Sequence, residues 1–479
     1  MKTTAKIAGL TILGIGLIIV GYHQTDSSGW RFLKNPDTAR QLKSFVAEKE
    51  LESDDDTNPA PSEARRFLRA ADRGDWQAVS NSYAELEEQT ENPQSAIAQK
   101  ISDALDKFSD WPVLGKVLLS LQGALNRPSP PGPPWWQGNR GEAMGEIHDV
   151  LEAFGEGGEK YPTQYANDII QSIPPGSIYL PWTQPGHSVV AAMQKSSAQG
   201  DPFFTVSLQA LRYPEYYHAL YHDKIYIPTP DDSQRCYNEF MAEIPAKVQD
   251  GQGDSAETIW GINLLLAQIV FDKNTNREFY IEGFPYGWMC PYLEPHGLIF
   301  KLNRQPLPTL SDEIIQRDRD YWKSTTSPMI GDWLKDDTTA SNIAAFAEKV
   351  FLRHDFNGFN GDTNFVQNAY AARMFSEDRV SIAELYAWRA HTRDELENLR
   401  MNEEADFAFR QAWALSPDGA AVFSYAKFLS DEGRTPEAIL VAQTASHFHS
   451  DPSQSEMVAN LITQLEQVED TNFQKSVAP

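Results

Sequence analysis

The sequence predicts an α/β domain, with a Rossmann-like, mostly parallel sheet, set between helical regions and followed by tetratricopeptide-like helix pairs. Three observations predict it. Between Gly176 and Arg304, short apolar runs alternate with segments of helical periodicity, the pattern of strands joined by helical crossovers. On either side, over 63–173 and 306–380, apolar residues recur mainly at helical spacing. After residue 381, small and large apolar residues alternate as they do in stacked helix pairs.

The elements follow in chain order. Lys2 and Lys6 precede the uncharged run Ile7 to Tyr22. That run is slightly short of the usual ~20-residue span and has the charged-then-apolar order of a signal sequence. No small-x-small cleavage site follows in "HQTDSSGW". Residues 1–23 therefore read as a signal anchor, with the soluble part outside the cytoplasmic membrane. Cleavage and release to the periplasm or medium is the alternative. Residues 24–62 read as an acidic, extended stalk, because "ELESDDDTNPAPSEA" joins charge repulsion to two prolines. Over 63–173, "RRFLRAADRGDWQAVSNSYAEL" gives helix, glycine turn, helix. The five prolines of 126–138, "NRPSPPGPPWWQG", interrupt that pattern with an irregular loop.

The α/β domain is placed at 174–305. Its strands are read at "SIYLPW", "FFTVS", "KIYIP", "EFYIEG" and "LIFKLN". Its helices are read at "HSVVAAMQKSSA", "PEYYHALYH", "DSQRCYNEFMAEI" and "AETIWGINLLLAQIVF". The loop "TQPGH" follows the first strand, where open α/β sheets bind ligands. Thr183, Gln184, Gly186, His187 and Asp201 are the candidate ligand-binding residues: hydroxyl, amide, backbone, imidazole and carboxylate groups near two strand ends. The plainer reading is a Pro-Gly turn with Thr183 or Ser188 capping the next helix.

Residues 306–380 read as a helical connector. The loop "DFNGFNGDTNF" within it fails as a calcium loop, because Phe359, Asn360 and Val366 fall where an oxygen ligand, the turn glycine and the closing glutamate belong. Over 381–470, Ala405, Phe409, Ala412 and Pro417 have the spacing of a tetratricopeptide helix, and Gly433, Ala438 and Ala445 continue it. Small alanines let helices approach, and glycine permits the turn. Ala442 stands where an aromatic is expected.

Chemistry-bearing motifs are few. There is no phosphate-binding glycine loop, no G-x-S-x-G and no H-E-x-x-H. His218 and His222 in "HALYH" have metal spacing but lack further ligands, so no metal or cofactor is expected. Cys236 and Cys290 are either a pair or two core thiols. A formal net charge of −26 disfavours nucleic acid as a partner.

"PPGSIYLPWTQPGHSVVAAM", "DPFFTVSLQAL" and "KIYIPTPDDSQRCYNEF" resemble the extracytoplasmic region of bacterial protein O-mannosyltransferase-like membrane proteins. The resemblance covers 173–240. Thr183, Pro185 and Gly186 match that family's Gly-Gly-Thr-Asp-Pro-Gly-Arg-type loop, while Gln184 and His187 replace its Asp and Arg. In that family, the resemblance implies, sugar transfer is the work of a many-helix membrane domain. One apolar segment here leaves no room for such a domain. The expectation is a membrane-anchored, extracytoplasmic, non-catalytic protein that binds a partner protein or a polar glycan through its α/β domain and repeats. The alternative is a glycan-processing or glycosyl-transfer-related enzyme, or an accessory subunit, using the loop after the first strand.

Overall fold

The computed structural model describes residues 160–183, 202–208, 224–243, 256–284, 287–391, 395–448 and 452–477, with a few isolated positions between them. The anchor, the stalk, the Pro-rich loop and His218 and His222 lie outside the described residues. The fold is mostly helical, with a small mixed sheet of five strands in the order β2-β1-β3-β5-β4. The chain divides into two compact units between Phe279 and Tyr280.

In the unit ending at Phe279, α1 (Lys160–Ser172) precedes β1 (Ile178–Leu180), and β2 (Phe204–Thr205) pairs with β1 in parallel. The parallel ladder runs beyond the short strands, from Gly176 N–H to the Pro202 carbonyl through Leu208 N–H to the Pro181 carbonyl. All three β1 residues are buried, as expected of a strand covered on both faces. Next come α2 (Pro230–Glu243) and α3 (Ala256–Lys273). Gly261 lets these two helices meet: a Cβ there would lie 1.9 Å from the Phe240 ring.

"KIYIP" is not a strand. The side-chain amide of Asn274 takes the place of a strand partner, accepting from Tyr226 N–H at 2.8 Å and donating to the Tyr226 carbonyl at 3.0 Å. Arg277 donates to the Lys224 carbonyl at 3.3 Å and to that of Gly176 at 3.2 Å. Side chains thus satisfy backbone groups that a ladder would otherwise serve.

The other unit opens in β3 (Phe279–Ile281) and continues through a 3₁₀ turn (Gly287–Tyr292) into the hairpin β4 (Leu293–His296) and β5 (Ile299–Leu302). The hairpin is antiparallel, with His296 opposite Ile299, whereas β1 and β2 are parallel, so the sheet is mixed. Gly297 enters its two-residue turn at φ 69°, the conformation a II′ turn demands of its first central residue.

Helices α4 (Asp312–Ile330), α5 (Ala340–Ala347) and α6 (Thr363–Gln367) come next. Ser311 caps α4, and a reciprocal Thr339–Asn342 box caps α5. The remaining helices are α7 (Ala369–Ala390), α8 (Glu395–Leu415), α9 (Ala420–Asp431), α10 (Thr435–Ser446) and α11 (Pro452–Val477). Ala405, Ala412, Ala438, Ala442 and Ala445 are all fully buried. The Ser376 hydroxyl on α7 donates to the Ala412 carbonyl at 2.8 Å, so α8 approaches α7 closely there. Phe409, Trp413, Tyr425 and Phe428 fill the space between α8 and α9, with ring centroids 5.2–6.0 Å apart. Gly433 turns the chain between α9 and α10 at φ 77°. Among the described residues, no helix is long and apolar enough to cross a membrane.

Candidate functional site

The loop after β1 is shaped by two hydrogen bonds. The Thr183 hydroxyl accepts from Gly186 N–H at 3.1 Å, the three-residue reach of a helix cap. The buried Tyr179 hydroxyl donates to the Gly186 carbonyl at 3.1 Å, tying the helix start back onto β1. Gly186 is itself buried. Two of the five candidate residues therefore meet as parts of one turn. Gln184, His187 and Asp201 lie outside the described residues, and no convergence of the five is drawn from the geometry.

Both sheet edges are occupied by side chains. On β2, the Tyr221 hydroxyl accepts from Thr205 N–H at 3.1 Å and donates to the Thr205 carbonyl at 2.9 Å. On β4, Arg389 donates to the Leu293 carbonyl at 3.1 Å and Arg317 to that of Pro295 at 3.4 Å, while Pro295 has no N–H to offer. Edges closed in this way do not recruit a further strand.

The ionic groups that sequence reasoning missed lie in the helical region. Arg379 on α7 meets Asp318 on α4 at 2.8 Å, with side chains 1% and 0% exposed. The Tyr386 hydroxyl donates to the same Asp318 oxygen at 2.9 Å, and Arg379 Nε donates to the Gln411 amide oxygen on α8 at 2.8 Å. The Arg379 guanidinium also lies 5.0 Å from the Trp322 ring centre. Burial, and then the Asp318 charge, push the Tyr386 phenol well above its ordinary range. A perturbed phenol beside a carboxylate and a guanidinium is a catalytic constellation by type. Its complete burial makes it a clamp joining three helices.

A second network joins α8, α9 and α10. Asp406 receives Arg434 at 2.7 Å, Arg410 at 3.0 Å and the Tyr425 hydroxyl at 3.1 Å. Arg434 grips both Glu437 oxygens at 2.7 Å. That hydrogen-bonded fork holds the Glu437 carboxyl below its usual range.

Among the described residues no group of three or more His, Cys, Asp or Glu is placed to hold a metal ion. Cys236 and Cys290 are buried free thiols rather than a pair. Burial pushes the Cys290 thiol up to about 12, which makes it a core residue rather than a nucleophile. Comparison with protein-family models, curated proteins and solved structures finds no match for this chain.

Proposed function

We propose that this is a membrane-anchored, extracytoplasmic, non-catalytic binding protein. Its C-terminal helices act as tetratricopeptide-like pairs that dock a partner protein, and its α/β portion is Rossmann-like. The observation that carries this reading is where the ionic groups go. Asp318, Arg379, Tyr386, Asp406 and Arg434 join helix to helix. Thr183, the described side chain of the candidate loop, holds its own turn. The occupied sheet edges favour docking through helices over strand addition. The anchor rests on the uncharged run Ile7 to Tyr22.

The test uses the full chain in membranes. Deleting residues 1–23 releases it to the soluble fraction, and crosslinking of the intact protein yields one discrete protein adduct. Retention on salt-washed membranes after the deletion overturns the anchor. Failure to form a saturable adduct, together with turnover of a glycan substrate, overturns the non-catalytic reading.

A further inference from the structure

Glu377 on α7 is only 9% exposed. Its Oε1 is sealed from solvent without a hydrogen-bond partner. Among the described residues, no ion pair reaches its carboxylate, and Arg373, one turn earlier on α7, makes none with it. Asp318 differs, because it holds Arg379 and Tyr386. A buried carboxylate without a counter-charge is costly, so the place of this side chain is informative.

Helical register puts Glu377 on an open strip. Arg373, Ser381, Glu384 and Trp388 are part-exposed, while most of α7 is buried. With Glu377 among them, these residues recur at steps of three or four and share one face. The start of α9 runs along that face. A Cβ added to Gly419 would lie 3.9 Å from Arg373 Cγ, and the Ser424 hydroxyl donates to Glu384 at 2.9 Å. In sequence Glu377 falls between those two contacts, and the matching stretch of α9 begins Gly419, Ala420, Ala421, whose side chains offer no donor. A helix N-terminus can itself favour a carboxylate. Yet no N–H of that first turn bonds the Glu377 Oε1.

The charges along the strip select the occupant. Glu377, Glu384, Asp418 and Asp431 stand against Arg373, Lys427 and Arg389. Lys427 pairs with Asp431 on its own helix, and Arg389 donates to the carbonyls of Pro291, Leu293 and Leu307. Carboxylates are in excess, as they are in the whole chain at −26, so a basic partner finds its complement here and an acidic one does not. Of the two basic side chains, arginine is the more weakly hydrated and the better suited to a buried ion pair. We propose that this strip of α7 receives an arginine from a basic segment of the partner protein, with Glu377 as its counter-charge. The inference rests on the partner-docking reading above.

The experiment is calorimetric titration of the full-length protein in detergent, at physiological salt, with acetylated and amidated triarginine, trilysine and tricitrulline. Triarginine should bind saturably, trilysine more weakly, and tricitrulline not at all. Glu377→Gln should weaken triarginine by about tenfold or more, without lowering the melting temperature, because it removes a buried charge that has no internal partner. Glu456→Gln, at an exposed position on α11, should bind as the parent does. The proposal is overturned if triarginine does not bind saturably, if Glu377→Gln binds it as the parent does, or if Glu456→Gln loses as much. A lowered melting temperature in Glu377→Gln would make the carboxylate an internal support and also overturn it. Equal binding of trilysine would overturn the choice of arginine. A crosslinked adduct formed by Glu377→Gln at the parent's level would remove this inference and leave partner docking standing.

Discussion

The α/β region and the helical region differ in what their polar side chains hold. Around β1 and β2, polar side chains hold backbone: Asn274 holds Tyr226, Tyr221 holds Thr205, and Arg277 holds Gly176 and Lys224. From α4 to α10, polar side chains also hold one another across helices, as in Asp318–Arg379–Tyr386 and Asp406–Arg434. The cause is backbone supply. Short strands and irregular segments leave N–H and C=O groups unmet, whereas helices meet most of theirs internally. Side chains in the helical region are thereby free to set which helix lies against which.

The largest effect tests the helical half of that contrast. Asp318→Ala should cost about 3–5 kcal/mol, because it leaves the Arg379 cation buried without its counter-charge. Asp318→Leu combined with Arg379→Met should recover most of that loss, since an apolar pair of similar volume needs no partner. Denaturant unfolding of the two variants decides it. A small loss in Asp318→Ala would mean that the pair does not clamp α4 to α7.

The α/β half is tested by Asn274→Ala. It strips Tyr226 of both backbone bonds and should cost about 1–3 kcal/mol. Hydrogen exchange should speed up at Tyr226 and remain slow at Ile178–Leu180. Unchanged stability together with unchanged exchange would show that the "KIYIP" segment is held by other means.

These two sites also mark what was legible in the sequence. Strands β1, β2, β3 and β5 and the helices of 306–470 follow from periodicity, because one pattern of apolar residues serves each of them. "KIYIP" has a strand's composition, but its partner is one side-chain amide 48 positions away, and periodicity carries no such information. β4 was hidden by Pro295, which an edge strand tolerates. The Asp318–Arg379 clamp was hidden because Ser376 to Arg379 are four consecutive polar or charged residues, yet all four are buried. In the loop after β1, Thr183 was legible as a cap because Gly186 lies three residues on. The contact between Trp333 and Phe346 needed the fold, since Trp333 precedes α5 and Phe346 lies in its last turn.

The smallest effect sharpens the contrast, because it concerns a charged group spent on local backbone. Asp232 accepts from Tyr226 Oη at 2.6 Å, from Thr229 N–H at 2.9 Å and from Arg235 at 2.6 Å. Thr229 in turn accepts from Asp232 N–H at 3.2 Å, a reciprocal cap on α2 with Pro230 at its first position. Burial alone would raise the Asp232 carboxyl, but the hydrogen bonds from Tyr226, Thr229 and Arg235 outweigh it and lower it to about 2. A carboxyl lowered in the folded state stabilises above its unfolded value of about 3.9. Its contribution is lost as pH falls from there through about 2. Asp232→Ala should therefore cost about 1 kcal/mol near neutrality, the usual worth of a cap. Asp232→Asn keeps an acceptor for the Thr229 N–H but carries no charge. Its stability should fall less steeply than the parent's between pH 4 and pH 2, roughly the span between the unfolded and folded values. Parallel acid-unfolding curves for parent and Asp232→Asn would show that the cap works without its charge, and the local role assigned to this carboxylate would reduce to hydrogen-bond geometry alone.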